Sequence, residues 1–429
     1  MILILGGTTE GRLAVKVADE AGSPYYYSTR GIQQEIACRN GIHLTGGMDV
    51  EAMTSFCIHH QIRLLVDAAH PFAVGLHQTV HETAIRLNLP VVRVERFYPE
   101  RATDIVWCED YEDAVCKLEK DRIHSLLSLT GVQTIGKLRG YWAKHPCWFR
   151  ILKRDESLAL ARSQGFDEQR IVYYQAEDEE SLLKRLTPQA ILTKESGETG
   201  GFQQKIDAAR MLGIPVYVVK RPSLPDSFMN VTGEYGLRKQ IEKWVPGFYP
   251  LRSGYTTGAC ATAASKAALL GLLGRDIPSL IPIRFPNGET LSLPVADVQL
   301  SEESVSAIVV KDAGDDPDVT HGHRIVSTIR FSSHPGIHFL QGEGVGKVTL
   351  PGLGLEIGEP AINKVPRQMM EQELSALYQG GLDVTISVPD GRELAKRTFN
   401  PKLGIVDGIS IIGTSGIVRP FSSEAFVEA

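Results

Sequence analysis

Seven residues near the start of the chain, Gly6-Gly7-Thr8-Thr9-Glu10-Gly11-Arg12, follow directly on the apolar run Ile2 to Leu5. A turn that leaves a strand and opens a helix points backbone N–H groups outward, and glycines there let a diphosphate approach, so this stretch suits a dinucleotide. The spacing is not the usual GxGxxG, and a glycine turn that only joins strand to helix is the alternative. The second strand, Tyr25 to Ser28, leads into Ser28-Thr29-Arg30 where an adenosine ribose would lie, with no acidic residue. An arginine there suits a 2′-phosphate, so of NADPH or NADH the local chemistry leans to NADPH. Later in the chain Thr256, Thr257 and Gly258 precede a small-residue helix whose N-terminal N–H groups would suit a substrate carboxylate. Cys260 in that helix reads as a small buried cysteine or as a thiol of lowered pKa. Asp315, Asp316, Asp318 and His321 resemble a hard-metal loop, but Pro317 and the lack of a twelve-residue calcium-loop spacing favour a turn with capping carboxylates, and no metal is expected.

These groups need a scaffold. At 429 residues the chain is too long for one ordinary core. Its 43% hydrophobic and 22% charged content is that of a globular protein, with no apolar run of bilayer length, so no membrane association is expected. The residues after Met1 read as a first strand instead of a secretory signal. A formal net charge of -6 gives no global attraction to nucleic acid. Six scattered cysteines without CxxC spacing point to reduced thiols in a cytoplasm and against a zinc site.

From Met1 to about Trp244, short β-branched runs alternate with helical stretches, the rhythm of parallel α/β units. Leu126 to Gly131 repeats the opening strand-to-turn arrangement, and Ile191 to Gly197 repeats that of Leu64 to His70. Two similar halves are expected, 1–110 and 115–245, with a cleft between them. The segment Trp244 to Pro250 is a plausible boundary, after which 251–429 reads as an α+β domain.

Three motifs in order, the glycine turn, Val66-Asp67-Ala68-Ala69-His70-Pro71-Phe72-Ala73, and Thr193-Lys194-Glu195-Ser196-Gly197 with Gly200-Gly201 and Lys205, resemble the precorrin-6A reductase family over about the first 245 residues. The resemblance implies two Rossmann-like parallel-sheet halves and hydride delivery from a reduced nicotinamide to cobalt-precorrin-6A, giving cobalt-precorrin-6B. It implies a cofactor site at Gly6, Gly7, Thr8, Glu10, Gly11, Arg12, Ser28, Thr29 and Arg30. A carboxylate-rich macrocycle calls for positioned cations. Lys137, Arg150, Lys194 and Lys205, with Glu195, Ser196 and Gly197, are expected around the substrate, and Lys194 is expected among the catalytic residues. Reduction also needs a proton, which His70 or Asp67 could supply or relay. A structural role, Asp67 capping the next helix, is the competing reading. The family often has Gly-Pro-Phe where this chain has Ala176-Glu177-Asp178, which puts ring contacts from that turn in doubt.

Downstream, Arg252 to Ala264, Val310 to Gly322, Gly342 to Lys347, Gly358 to Asn363 and Gly408 to Gly416 resemble the cobalt-precorrin-5B C(1)-methyltransferase family. This implies S-adenosylmethionine as cofactor, substrate contacts from Thr256, Thr257, Asp315, Asp316 and His321, and a permuted ribosomal-S5-like fold. Family members continue into a further α/β domain, so only the first part is expected here. The expected partners are tetrapyrrole substrates and other enzymes of the corrin pathway. Two rivals remain: a downstream domain that binds macrocycle without catalysis, and an unrelated Rossmann dehydrogenase, whose Tyr-x-x-x-Lys pair has one counterpart in the first 245 residues, Tyr235 with Lys239.

Overall fold

The computed structural model describes residues 1–31, 36–174, 176–197, 200–351 and 354–420. Two six-stranded parallel sheets fill the first part of the chain. The first sheet begins with β1 (Ile2–Leu5), β2 (Tyr25–Thr29), β3 (Gly41–Thr45), β4 (Leu64–Asp67) and β5 (Val91–Val94). The second is built from β6 (Val106–Cys108), β7 (Leu126–Ser128), β8 (Cys147–Ile151), β9 (Ile171–Tyr173), β10 (Ala190–Lys194) and β11 (Val216–Val219). A last strand, β12 (Phe228–Val231), returns to the first sheet and pairs with β5. Strands β1, β4 and β5 are buried along their whole length, as near-continuous apolar runs covered on both faces should be.

The strand orders are β3-β2-β1-β4-β5-β12 and β9-β8-β7-β10-β11-β6. Five strands take the same order in both sheets, but the sixth differs in origin: the first sheet takes β12 from beyond the whole of the second, whereas the second takes β6, which directly precedes β7. Residues 228–244 therefore belong with the first sheet, whereas the sequence reading groups them with 115–245, and β6 belongs with the second. An edge strand goes wherever an open ladder accepts it; β12 takes the edge beside β5 and β6 the edge beside β11.

Downstream, an α+β domain is built on a five-stranded sheet of Asp297–Leu300, Val305–Val310, Arg324–Phe331, Leu382–Ser387 and Ile337–Gln341, antiparallel except for its last pair. Helix Thr257–Leu272 lies against it, and its alanines let strands and helix Lys364–Ser375 approach closely, so almost every side chain from Thr257 to Leu269 is buried. Among the described residues no helix is long and apolar enough to cross a membrane.

The expected linker is packed, not free. Phe248 and Tyr249 are buried in the first core, and the Tyr249 hydroxyl donates to the Val17 carbonyl at 2.8 Å. Helix Glu234–Trp244 has no side-chain cap of its own at Gly233. Glu289 of the downstream domain supplies one, its Oε2 accepting the N–H groups of Tyr235 at 2.9 Å and Gly236 at 3.0 Å. A Cβ on Gly233 would occupy the place of the Glu289 side chain. Nearby, Glu242 accepts from Ser253 N–H at 2.8 Å and Lys239 donates to the Ser253 carbonyl. The Tyr235 and Lys239 pair thus serves this junction and not a dehydrogenase site. Because the cap crosses the junction, Glu289→Ala should cost about 1 to 2 kcal/mol in urea unfolding of the full chain. An unchanged midpoint would show that the helix does not depend on it.

Candidate active site

Leu5 pairs with both Ser28 and Asp67, so the carboxyl ends of β1, β2 and β4 lie level. Strand order reverses between β1 and β4, and in the second sheet between β7 and β10, the places where such sheets open a ligand crevice.

At the first reversal, Gly7 has φ +107 and open space where a Cβ would stand. A Cβ on Gly11 would lie 2.8 Å from the Tyr27 hydroxyl and 3.0 Å from Gly6 Cα, so glycine is required for this close turn. The Gly6 N–H donates to the Ser28 carbonyl at 2.9 Å and the Gly7 N–H to the Tyr27 hydroxyl at 3.0 Å. These two amides are therefore spoken for, contrary to the expectation that they cradle a diphosphate. That task is left to the start of helix Thr9–Asp19, where Thr8 gives no side-chain cap. Arg12 and Arg30 are exposed, while Ser28 and Thr29 are buried. The Thr29 hydroxyl is engaged by the Gly31 carbonyl at 3.0 Å and His43 Nε2 at 2.8 Å. Glu10 turns inward: its carboxylate meets Thr8 Oγ1 at 2.7 Å and Arg96 at 2.8 Å, away from any cofactor on the turn. Burial opposes its ionisation, but Thr8 and Arg96 outweigh this and hold its pKa below the ordinary value.

Asp67 is fully buried and accepts from His77 Nδ1 at 2.6 Å, Arg93 at 2.9 Å and the Ala69 N–H at 3.1 Å. Burial works against the carboxylate, yet the His77 hydrogen bond and the Arg93 charge keep its pKa lowered. It is closed off from the crevice, so the proposed proton role does not fit it. Nor does it cap the next helix, which starts from Ala73; it closes a turn on Ala69 instead.

His70 projects into a cleft of about 470 Å³ whose other walls come from the second sheet, among them Thr130, Tyr174, Thr193, Lys194 and Lys205. Its Nδ1 accepts the Phe72 N–H at 3.1 Å, which leaves Nε2 to carry the proton of a neutral ring. Burial, reinforced by the charges of Lys194 and Arg96, pushes its pKa down to about 3. His70 is therefore a neutral hydrogen-bond donor, which fits the relay role expected of it better than that of a cationic acid. Lys194, at the end of β10, has its ammonium 5.3 Å from the Phe72 ring centre. Burial, then the cations Lys205, Lys137 and Arg96, push its pKa down to about 8. Among the described residues no carboxylate lies within ion-pair distance of it. Lys205 donates to the Gly200 carbonyl at 2.9 Å from the same wall, and the Thr193 hydroxyl is buried there without a partner among the described residues.

The remaining expected contacts divide. Ser196 lines the cleft. Gly197, at φ +71, packs under Arg96 and Tyr98. Glu195 turns away to Arg101 at 2.9 Å and Arg221 at 3.1 Å. Lys137 sits 5.2 Å over the Tyr111 ring and is not in the cleft wall. Arg150 is buried, holding the Tyr174 and Glu177 carbonyls and Glu179. In the Ala176-Glu177-Asp178 turn, Ala176 and Asp178 are exposed, Glu177 pairs with Arg185, and Asp178 caps the next helix at Ser181.

Downstream, the expected carboxylate site at the helix start is filled by protein. Thr256 Oγ1 accepts the Ala259 N–H at 3.1 Å, the Gly258 N–H donates to the Ile412 carbonyl at 2.9 Å, and Thr257 bonds the Ile412 backbone. Cys260 is wholly buried and burial pushes its thiol up to about 12, so it is no nucleophile. Asp315 accepts from the Arg252 N–H at 2.6 Å, and His321 Nδ1 from the Ala313 N–H at 3.1 Å. Asp316 is half-buried; burial, then Asp318, raise its pKa. Among the described residues no three potential metal ligands cluster.

Residues 1–241 match the model of the family described as precorrin-6x reductase CbiJ/CobK. The chain belongs to this family. Residues 247–420 match the CbiD family model. Cobalt-precorrin-5B C(1)-methyltransferase of Pseudomonas aeruginosa strain PAO1 is 52% identical over 183 residues, 42% of this chain and 50% of that protein. Its Geobacillus kaustophilus counterpart is 52% identical over 181 residues, 41% and 49%. The chain spans about half the length of these curated relatives. A solved CobK precorrin-6A reductase is 21% identical, covering 57% of this chain and 97% of that one, with TM-score 0.47. A CbiD structure from Archaeoglobus fulgidus is 33% identical, covering 42% and 57%, with TM-score 0.32.

In this reductase part, sequence reasoning missed Tyr174 in the cleft wall and Arg93 and Arg96 behind it. The two arginines left a signal, charged residues inside and just after the apolar run Val91 to Val94. If Asp67 is structural, Asp67→Ala should destabilise the reductase by about 3 kcal/mol, since Arg93 loses its fully buried partner and keeps the less buried Glu95 at 2.7 Å. Lys194→Ala should cost less than about 1 kcal/mol or stabilise, because it removes a desolvated charge. The carboxylate's share is present above its ordinary pKa of 3.8 and is lost as pH falls through its lower folded value. Chemical denaturation of both variants checks this, and equal losses would contradict it.

Proposed function

We propose that this chain reduces cobalt-precorrin-6A to cobalt-precorrin-6B in the anaerobic synthesis of the cobalamin ring, with NADPH or NADH as reductant. The observation that carries the reading is Lys194, a desolvated ammonium of pKa about 8 facing the cleft with neutral His70 in the wall beside it. The residues at the first reversal suit a dinucleotide: Gly7 is open, the helix start is uncapped and Arg30 is exposed at the end of β2. Arg30 favours the 2′-phosphate of NADPH. Bound there, a reduced nicotinamide supplies a hydride to a ring carbon of the conjugated macrocycle. Lys194 Nζ delivers the balancing proton to the same reduced unit and regains it from water. His70 Nε2–H donates a hydrogen bond that orients the ring, and Lys205 receives a peripheral carboxylate. The six unpaired cysteines support a reducing, cytoplasmic setting, alongside other enzymes of the corrin pathway.

For the downstream part the reading is a macrocycle-binding portion of the cobalt-precorrin-5B C(1)-methyltransferase, with a fold resembling the permuted ribosomal-S5-like type. The glycine motifs there offer S-adenosylmethionine no open site. Backbone and side chains of Ile386 to Gly391 and Ile405 to Gly408 fill the space beside Gly342, Gly344 and Gly346, and the Thr256 side chain fills that beside Gly413. No methyl-transfer step is derived for them.

Two outcomes follow. Oxidation of NADPH by the chain with cobalt-precorrin-6A should hold steady at neutral pH and fall about tenfold per pH unit above about 8, as Lys194 loses its proton. Lys194→Met should remove that limb together with most of the turnover; a wild-type rate that rises through this range would contradict the assignment. Incubated with cobalt-precorrin-5B and S-adenosylmethionine, the chain should give little or no methylated product by mass spectrometry, and normal turnover would overturn the binding-only reading.

A further inference from the structure

Between the two sheets runs the crossover that follows β5, and it carries Arg96, which is buried behind the cleft wall and is not itself one of the residues that line the cleft. One Nη of its guanidinium donates to Glu10 at 2.8 Å, on the helix that opens the nucleotide turn. The other donates to the Ser196 carbonyl at 2.6 Å, in the segment that walls the cleft from the second sheet. The Arg96 stem packs so closely on this segment that a Cβ on Gly197 would lie 3.0 Å from it. On the nucleotide side the chain of bonds continues, because Thr8 Oγ1 meets both Glu10 at 2.7 Å and the Ala68 carbonyl at 2.9 Å. Ala68 begins the loop that presents His70. One planar fork thus touches the nucleotide turn and the cleft wall, and through Thr8 it reaches the His70 loop.

We propose that Arg96 is a positioning residue that couples occupancy of the nucleotide turn to the geometry of the tetrapyrrole cleft. This rests on the reductase reading above. A bidentate guanidinium can hold two acceptors in fixed directions, whereas an ammonium is a point charge on a flexible stem. A shift of the turn on binding an anion would therefore reach the Ser196 segment through Arg96, and a lysine would not transmit it. Reaction geometry is sensitive to such displacements, with losses of about a hundredfold for a misplacement of about 1 Å.

The test uses Arg96→Lys, Arg96→Met and Glu10→Gln in the full chain, with two readouts. Hydrogen exchange with NADPH alone requires no turnover. In the wild type, NADPH should slow exchange in peptides covering both Thr8 to Lys16 and Thr193 to Gly197. In the variants only the first should respond. Steady-state reduction should then show kcat lowered at least about tenfold with the KM for NADPH changed less than about threefold. Should Arg96→Met fail to fold, Arg96→Lys and Glu10→Gln carry the comparison. Protection of Thr193 to Gly197 persisting in the folded variants, or its absence in the wild type, would overturn the coupling. A wild type that shows the protection but does not oxidise NADPH with the tetrapyrrole would defeat the reductase reading and leave the coupling of the turn to that segment standing.

Discussion

A charged arginine and an aspartate on buried strands of a parallel sheet are tolerable only if both find partners. The first sheet depends on that pairing. Arg93 on β5 holds Asp67 at the end of β4, Asp67 holds His77 and the Ala69 amide, and His77 Nε2 reaches the His70 carbonyl at 3.1 Å. These bonds fix the loop that carries His70 across the crevice to the second sheet. Without the buried pair, nothing rigid would present an imidazole from one half to a cleft built by the other.

The chemistry of that cleft is set by desolvation. Burial lowers the pKa of both His70 and Lys194, and the neighbouring cations act in the same direction. The contrast with nearby groups is instructive. Glu195 and Arg150 are also buried, but each has found opposite charge, and both serve as structural ties. Lys194 has a ring face and two other lysines in its surroundings, and it keeps a proton that is easily given up. A lysine in a cleft wall with no carboxylate beside it among the described residues is where reactivity is expected.

Much of this arrangement was legible in the residues. Apolar runs followed by glycine turns mark β1 and β7, and the Val66 to His70 and Thr193 to Gly197 segments do stand at the ends of β4 and β10. Local pattern could not show which edge β12 joins, because pairing partners are chosen in space. Nor could it show which way a strand-end residue faces: Lys194 points into the cleft and Glu195, its neighbour, points away. The glycines were the most ambiguous. Gly7 is open to a ligand, whereas Gly344 is pressed against the backbone of Val388 and Gly391, and only the residue opposite tells the two uses apart. Thr256 and Thr257 misled in the same way, since the partner that fills their helix start, Ile412, lies 155 residues from Thr257.

The central claim is that a hydride passes from a nicotinamide on the turn to the macrocycle in the adjoining cleft. The direct measurement is a single-turnover reduction of cobalt-precorrin-6A by the purified chain in ordinary water, using NADPH deuterated at both C4 positions of its nicotinamide and reading the product by mass spectrometry. Transfer from the turn to the cleft gives a reduced ring carrying one deuterium from the cofactor. A reduced ring with no deuterium, or no reduced ring at all, would contradict it.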